Sequence, residues 1–222
     1  MRKPNPMTNG PKSKKAIVYE NLKRRIVNHS LSPGEPLNES VLAKELGMSK
    51  TPIREAFQQL EKEGFVESIP GKGSFVSRIS VQDIREIFEI REILECEVIK
   101  RVASRGTLNK GEVEAIRRRF ESSEADGNKT PRSYFRAGSQ IHTFIFESFG
   151  NRRLLEFYRR IQDHIERMRL YFFNQIHQER AEQSSKEHLE ILNAMIAQDP
   201  QRAEKAMRDH LQNSIEYQKK VI

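Results

Sequence analysis

The stretch VLAKELGMSKTPIREAFQQLEKEG, residues 41–64, contains two short helical patterns joined by a tight turn. Gly47 follows the first pattern at the position where a left-handed residue commonly ends a helix. In the second pattern apolar residues recur at the spacing of one helical face, namely Ile53, Ala56, Phe57 and Leu60. Thr51 is the expected N-cap, and Pro52 the expected first helical residue, where a missing N–H costs nothing. The stretch therefore predicts a helix-turn-helix unit.

The segments on either side of this unit extend the prediction. A helical pattern begins near Lys14 and ends at HSLSPGEPL, residues 29–37, where prolines and a glycine favour a turn. After the unit, FVESIPGKGSFVSRI, residues 65–79, places two β-prone runs around a glycine-rich turn, which is typical of a hairpin. Three helices followed by a hairpin is the layout of a winged helix-turn-helix, whose recognition helix reads the major groove.

The charge distribution agrees with a DNA-binding module at this end of the chain. Residues 1–78 hold 14 Lys and Arg against 8 Asp and Glu, whereas residues 79–222 hold 25 against 23. Free amides in the first helical turn bind phosphate, and the fork of Arg54 can reach O6 and N7 of guanine. Taken singly, a Thr-Pro helix start is common and an exposed arginine is usually only solvated, and a basic surface need have no partner. The conjunction of these features favours DNA binding.

Composition excludes several other classes. The chain has 222 residues, 36% of them hydrophobic, and no apolar run approaches the roughly 20 residues that span a bilayer. The single cysteine, Cys96, excludes an intrachain disulfide and fits a reducing compartment, so a cytoplasmic location is expected. Residues 1–13 are rich in Pro, Gly, Asn and Lys without periodicity, which predicts a disordered basic tail.

Beyond residue 80 we find only helical patterns. They are predicted at about 81–104, 110–126, 131–149, 151–174, 180–197 and 200–219. The fold class is therefore mainly α, with a winged helix-turn-helix domain over residues 14–79 and an all-α antiparallel helical bundle over residues 80–222.

Residues 19–76 resemble a known family. The segment YENLKRRIVNHSLSPGEPLNESVLAKELGMSKTPIREAFQQLEKEGFVESIPGKGSFV is similar to the winged DNA-binding domain of the GntR family of bacterial transcription regulators. The resemblance assigns DNA contacts to Ser40, Ser49, Lys50, Thr51, Arg54, Gly71, Lys72 and Gly73. The position after Ser49 is usually arginine in the family, and Lys50 is a point charge without the arginine fork.

The helical part resembles the ligand domain of the FadR subfamily, the FCD-type domain, over three segments. These are IREIFEIREILECEVIKRVAS, IHTFIFESFGNRRL and EHLEILNAMIAQDPQRAEKAMRDHL. The resemblance implies a cytoplasmic homodimer that binds palindromic double-stranded operator DNA. It also implies a small carboxylate-type effector, held in the helical domain, that modulates this binding.

Three histidines fall on apolar helical faces. His142 shares a face with Ile145, His188 with Ile191, and His210 with Met207. A single inward histidine is more often a hydrogen-bonded core residue, but three on separate helices favour a metal site inside the bundle. In FadR-type domains the equivalent histidines bind a divalent metal together with an aspartate one turn before the first, where this chain has Gly138. Three imidazoles with a water or an effector carboxylate can still hold Zn²⁺ or Ni²⁺.

Arg91 lies on the apolar stripe of its helix and is predicted to point inward or to the edge of a cavity. One reading is a buried ion pair with Glu95 at i+4. The other is a two-pronged anchor for the carboxylate of an effector, which the resemblance favours. Tyr134 and His164 are further candidates for the lining of this cavity.

These features together predict a DNA-binding transcriptional regulator, a repressor, and not an enzyme. A di-iron enzyme needs Glu-x-x-His on two helices. The residues three positions before His142, His164, His188 and His210 are Ser139, Ile161, Ser185 and Met207. No nucleophile elbow, P-loop or HExxH motif occurs either. A nonspecific architectural DNA binder is a further alternative, which a ligand cavity in the helical part would disfavour.

Overall fold

We describe the chain from a computed structural model. It covers residues 12–105, 109–125, 131–172 and 178–221, with the side chains of residues 122–125, 131–136 and 221 excepted. Of the predicted tail over residues 1–13, residues 1–11 lie outside the described residues. The chain divides into two compact units, Met1–Ile79 and Ser80–Ile222.

The first unit is a winged helix-turn-helix. Its elements are α1 (Lys14–Val27), β1 (Pro36–Leu37), α2 (Glu39–Glu45), α3 (Lys50–Lys62), β2 (Val66–Ile69) and β3 (Gly73–Val76). The strands form an antiparallel sheet in the order β1-β3-β2, with Val76 opposite Val66 and Phe75 opposite Pro36. The short strand β1 was not predicted, since its segment reads as a turn. Pro36 is tolerated there because β1 is an edge strand.

The predicted apolar face of α3 forms the centre of this unit. Ile53, Ala56 and Leu60 are fully buried, and Phe57 is nearly so. They pack with Val18, Leu22 and Ile26 of α1 and with Phe65, Val66 and Val76 of the hairpin. Burying this stripe holds α3 in place, so its opposite face is left to solvent.

The predicted start of α3 is wrong by two residues. The helix begins at Lys50, with Ser49 in the N-cap position, so Thr51 is not the cap and Pro52 is the third helical residue. Proline disfavours a helical residue before it, but the ring of Pro52 is buried, and its packing outweighs this local preference. The missing N–H still costs nothing at this position, because the first four amides of a helix have no intrahelical partner.

The second unit is an all-α bundle. Its helices are α4 (Val81–Ser104), α5 (Lys110–Ala125), α6 (Pro131–Phe149), α7 (Arg152–Tyr171), α8 (Gln178–Ala197) and α9 (Pro200–Val221). Ser80 and Asp83 form a capping box at the start of α4, and Asn151 caps α7. The predicted helix ends at residues 126 and 174 lie outside the described residues. These helices and the winged unit confirm the predicted fold class.

The core of the bundle lies between α4, α6, α8 and α9. Its fully buried members include Ile99, Ile141, Ile145, Ile191 and Met195. Each of the four helices also places at least one polar or charged side chain in this interior. Within the described ranges, we find no helix both long and apolar enough to cross a membrane.

Candidate functional site

All eight residues predicted to contact DNA are exposed on the winged unit. Ser40 lies on α2, and Lys50, Thr51 and Arg54 lie on the first turns of α3. The tip of the wing is a tight turn in which the amide of Lys72 donates to the carbonyl of Ile69 at 2.9 Å. Gly71 has a φ of 76° at the third position of this turn, as a type II turn requires. The turn therefore presents Lys72 at the end of the hairpin.

One of the predicted contacts is tied to a neighbouring helix. Nε of Arg54 donates to a carboxylate oxygen of Glu39 on α2 at 2.8 Å. Among the described residues, Lys50 and Lys72 form no ion pair. Of these three cationic side chains, only that of Arg54 is therefore restrained by an ion pair.

The three predicted histidines meet inside the bundle. His142 of α6, His188 of α8 and His210 of α9 are each at most 3% exposed. Their ring centroids lie between 4.3 and 5.2 Å apart. One nitrogen atom from each ring can be chosen so that the three nitrogens all lie within 4.8 Å of one another.

The Nδ1 atom of each ring faces an acceptor. His142 Nδ1 lies 2.6 Å from a carboxylate oxygen of Glu95, and His210 Nδ1 lies 2.8 Å from one of Glu187. His188 Nδ1 lies 2.7 Å from the backbone carbonyl of Ser184. Since carboxylates and carbonyls only accept, these neighbours favour the tautomer with the proton on Nδ1 and the lone pair on Nε2.

The three Nε2 atoms form a candidate metal centre. Those of His142 and His188 lie 3.1 Å apart, and in this tautomer neither has a proton to donate to the other. Nε2 of His210 is buried without a hydrogen-bond partner in the described part of the chain. A divalent cation accepts from all three lone pairs at once, and carboxylate–histidine pairs are the usual support of such ligands. The residues present therefore fit a metal held by three imidazoles.

Burial keeps the three rings neutral. It lowers the pKa of His188 and of His210 well below the usual histidine value. The neighbouring histidines and arginines, when charged, lower both pKa values further. Burial also lowers the pKa of His142, although Glu95 opposes that change. Neutral imidazole is the form that binds a metal.

Gly138 occupies the position of the aspartate expected in FadR-type domains, and the space beside it is filled. A Cβ atom at residue 138 would lie 2.6 Å from Cε1 and 2.7 Å from Nε2 of His188. The glycine on α6 therefore makes room for the His188 ring. The protein supplies three neutral ligands here and no carboxylate at residue 138.

Arg91 is fully buried and forms the ion pair with Glu95, while its role as an effector anchor stays a prediction. Its Nε donates to Glu95 at 2.7 Å, which is the predicted i+4 ion pair, and the Tyr158 hydroxyl donates to the same carboxylate oxygen at 3.1 Å. Burial alone would raise the pKa of Glu95, but Arg91 holds it well below its usual value. The second terminal nitrogen of Arg91 is buried without a hydrogen-bond partner among the described residues.

A cavity of about 690 Å³ adjoins this network. Arg91, His142, Tyr158 and Arg169 belong to its lining, together with the polar side chains of Ser139, Thr143 and Gln162. Arg169 donates to the hydroxyl of Ser139 at 2.6 Å. Burial and the nearby Arg91 lower the pKa of Arg169 to about 10. The lining of the cavity thus contains two arginines and one histidine of the cluster, together with the carboxylates of Glu147, Asp163 and Glu166.

Two predicted lining residues are not placed there. His164 lies half-buried on α7 and is not among the described residues that line the cavity. The side chain of Tyr134 lies outside the described residues. The face of α7 that reaches the cavity carries Arg169 instead, one turn after Ile165.

Arg169 and Glu187 were missed by the sequence reasoning. Arg169 follows Tyr158 and Ile165 at helical spacing, so it had the same pattern as Arg91, a cation on an apolar stripe. Glu187 precedes His188, and its contact with His210 crosses from α8 to α9. No local pattern indicates that contact.

Two protein families match the chain. The description "Bacterial regulatory proteins, gntR family" matches residues 14–76, and the FCD domain matches residues 86–213. The transcriptional repressor RspR of Escherichia coli is 27% identical over 196 residues, which cover 88% of this chain and 84% of that protein. The repressor GlaR of Escherichia coli is 27% identical over 200 residues, or 87% and 90% of the two chains.

The solved structure of E. coli McbR/YncC has the same fold. It superposes with a TM-score of 0.73 at 21% identity, covering 94% of this chain and 99% of that one. Regulators of the GntR family bind operator DNA and are not enzymes, which confirms two of the predictions. The chain belongs to the GntR family of bacterial regulatory proteins and carries an FCD domain, so it is a DNA-binding regulator of transcription.

Proposed function

We propose that this chain is a homodimeric repressor whose affinity for a palindromic operator is set by a metal and a small organic acid bound in the FCD domain. The convergence of three Nε2 lone pairs beside a cavity with two arginines carries the proposal. The names of RspR and GlaR as repressors support the direction of regulation. Membership of FadR, a narrower group than GntR, remains a prediction.

The metal would be held by Nε2 of His142, His188 and His210. Zn²⁺ and Ni²⁺ suit three imidazoles, and a bound ion supplies an electrophilic centre for an oxygen of water or of a carboxylate. Glu95 and Glu187 hold two of the rings in the required tautomer and raise their basicity. His142 faces both the cluster and the cavity, which joins the two sites.

The effector would be a carboxylate small enough for the cavity. A buried terminal nitrogen of Arg91 has no hydrogen-bond partner among the described residues, and an anion would satisfy this donor. Arg169, Ser139 and Gln162 offer further polar contacts around the same space. Such a cavity also argues against a purely architectural DNA binder, because that function requires no ligand site.

DNA binding would use the exposed residues of the winged unit. Lys50, Arg54 and the amides at the start of α3 would face the major groove, and Lys72 the adjacent backbone or minor groove. Two copies would place their recognition helices about one DNA turn apart, roughly 34 Å. The effector would shift the populations of conformations that do and do not fit this spacing.

Exposed apolar side chains support a homodimer. Ile93 on α4 is 71% exposed, and Phe157 and Tyr171 on α7 are about half exposed. Large apolar side chains exposed in this way are available to an interface with a second copy of the chain. Sedimentation is expected to give twice the mass of one 25.9 kDa chain. A regulator that acts on the chromosome is expected in the cytoplasm.

Metal analysis of protein purified without an affinity tag or added metal tests the proposal. We expect about one Zn²⁺ or Ni²⁺ per chain. His188→Ala should lose the metal, whereas the matched variant His164→Ala, on α7 outside the cluster, should keep it. A thermal-shift screen of small organic acids should find stabilising ligands. Protein without metal that no acid stabilises would contradict the sensing role and leave DNA binding intact.

A further inference from the structure

We propose that Glu39 positions the Arg54 fork for reading a guanine and is therefore a determinant of operator specificity. The inference rests on the proposed role of Arg54 as the base-reading residue. It starts from the contact between two helices of the winged unit, in which Glu39 of α2 accepts from Nε of Arg54 on α3 at 2.8 Å.

The contact engages one particular part of the guanidinium. Glu39 binds Nε, so the two terminal nitrogens keep their N–H groups for another partner. Among the described residues, neither terminal nitrogen of Arg54 has a hydrogen-bond partner. Guanine offers O6 and N7 as a pair of acceptors in the major groove, which two N–H groups of one arginine match. The ion pair therefore leaves a guanine-reading surface intact.

The contact contributes little to folding. The Arg54 side chain is 62% exposed and that of Glu39 is 31% exposed, and exposed ion pairs add little stability. Its main effect is on conformational freedom. A free arginine samples many rotamers and loses that entropy on binding, whereas a carboxylate at Nε restricts the side chain beforehand.

Glu39 itself is held in place. It is the first residue of α2, and the Asn38 side chain caps this helix by accepting from the amides of Ser40 and Val41. The buried residues Leu42 and Ala43 fix α2 against the core. The backbone that carries Glu39 is thus fixed on one helix, next to the exposed Arg54 side chain of the following helix.

The negative charge makes the positioning role distinguishable from general attraction to DNA. A carboxylate on this face repels phosphates, so removing it should strengthen binding to any sequence. If Glu39 positions Arg54, the same removal should weaken discrimination between sequences. Affinity and specificity are therefore expected to change in opposite directions.

Glu45 offers a matched control on the same helix. Its carboxylate accepts from Arg25 at 2.9 Å, so Glu45→Ala removes an equal charge and an equivalent exposed ion pair without touching Arg54. Glu39→Gln keeps an oxygen acceptor at the same reach and removes only the charge. It should lose less specificity than Glu39→Ala, since a neutral acceptor binds arginine more weakly than a carboxylate does.

The experiment uses the full-length chain and a duplex selected by the wild-type protein from a random pool, with a scrambled duplex of equal composition. Fluorescence anisotropy gives the ratio of the two dissociation constants. Glu39→Ala should lower this specificity ratio by about tenfold or more. Glu45→Ala should leave the ratio unchanged, and Glu39→Gln should fall between Glu39→Ala and the wild type. If Glu39→Ala fails to fold, Glu39→Asp makes the same test, because its shorter side chain withdraws the acceptor.

Arg54→Ala separates the two claims. With Arg54 removed, a further Glu39→Ala change should have no effect on the ratio. A ratio that Arg54→Ala leaves unchanged would overturn the base-reading assignment and this inference with it. A ratio that falls with Arg54→Ala but is equal in Glu39→Ala and Glu45→Ala would overturn the positioning role alone.

Discussion

Nε2 of His142 and Nε2 of His188 lie 3.1 Å apart in the interior of the bundle, and neither carries a proton in the tautomer that their surroundings favour. That tautomer places the protons on the Nδ1 atoms, because these face the acceptors Glu95 and the carbonyl of Ser184. Two lone pairs at this distance repel each other unless a cation or a proton lies between them. The pair therefore provides a local reason for the proposed metal binding at a site where Gly138 replaces the aspartate expected from the resemblance to FadR-type domains.

Gly138→Ala should weaken the metal site. The added Cβ would meet the His188 ring at 2.6 Å, so the ring must shift. We expect a loss of about 1–3 kcal/mol in the free energy of unfolding from overpacking, together with a lower metal affinity. Urea unfolding and metal titration measure the two effects.

Gly111→Ala is the control for helix propensity. Alanine normally gains about 0.5–1 kcal/mol over glycine inside a helix. At residue 111 the new Cβ meets only the side chain of Asn109, at 3.3 Å, so this variant should be neutral or slightly stabilised. Equal behaviour of the two variants would show that the His188 ring is not confined by Gly138.

The metal-free protein should lose stability as the pH falls below about 6.5, the histidine value in an unfolded chain. The pKa values of His188 and His210 are lowered well below it in the folded state, so the unfolded chain takes up protons that the folded chain cannot. The free energy of unfolding should therefore fall by up to about 1.4 kcal/mol per pH unit for each of them.

Urea unfolding in a chelator, between about pH 7.5 and pH 5.5, measures this slope. Glu95 does not contribute to the slope in this range. Because its pKa is lowered in the folded chain, its protonation reduces the free energy of unfolding only under more acidic conditions. His188→Gln should reduce the slope. A stability that is level across the range would mean that the rings are not buried and neutral.

Arg91→Ala should be strongly destabilising. It leaves the Glu95 carboxylate buried without its main cation, which typically costs about 3–5 kcal/mol. Arg101→Ala breaks another i+4 pair of the same helix, with Glu97, but both of those side chains are more than half exposed. That control should cost no more than about 0.5 kcal/mol. Comparable losses in the two variants would place Arg91 outside the core network.

Lys72→Ala should weaken binding to selected and scrambled DNA alike. A lysine at the wing tip contributes charge and not base readout, so the slope of log affinity against log salt should fall by about one unit per protomer. Lys205→Ala removes an equal charge from the helical unit and should leave the slope unchanged. A loss confined to the selected sequence would instead mark Lys72 as a base reader.

Much of the fold follows from local patterns. The apolar spacing at Ile53, Ala56, Phe57 and Leu60 predicts the buried face of α3, and Gly47 adopts the left-handed conformation expected after α2, with a φ of 62°. Helix periodicity likewise placed the three histidines on inward faces, and all three are buried. These features depend on neighbours within one or two turns of the chain.

The rest depends on contacts between distant residues. Ser49 occupies the N-cap position of α3 without a side-chain hydrogen bond, and the buried Pro52 follows a helical residue although local preferences oppose this. The partners of His142 and His210 lie on other helices, so periodicity gives the facing direction of a ring but not what its Nδ1 meets. The prediction for His164 failed for the same reason. Its position on α7 suggested the cavity, but it is not among the described residues that line the cavity.

The operator affinity of the full-length chain in the presence of small organic acids tests the central claim most directly. The selected duplex is titrated with metal-loaded protein, with and without each acid of a panel of mono-, di- and hydroxycarboxylic acids. The account predicts that at least one acid changes the dissociation constant by about fivefold or more, the usual lower range of coupling between sites. It also predicts that Arg91→Lys, which keeps the charge but not the fork, loses most of that change. An operator affinity that no acid alters would contradict the account.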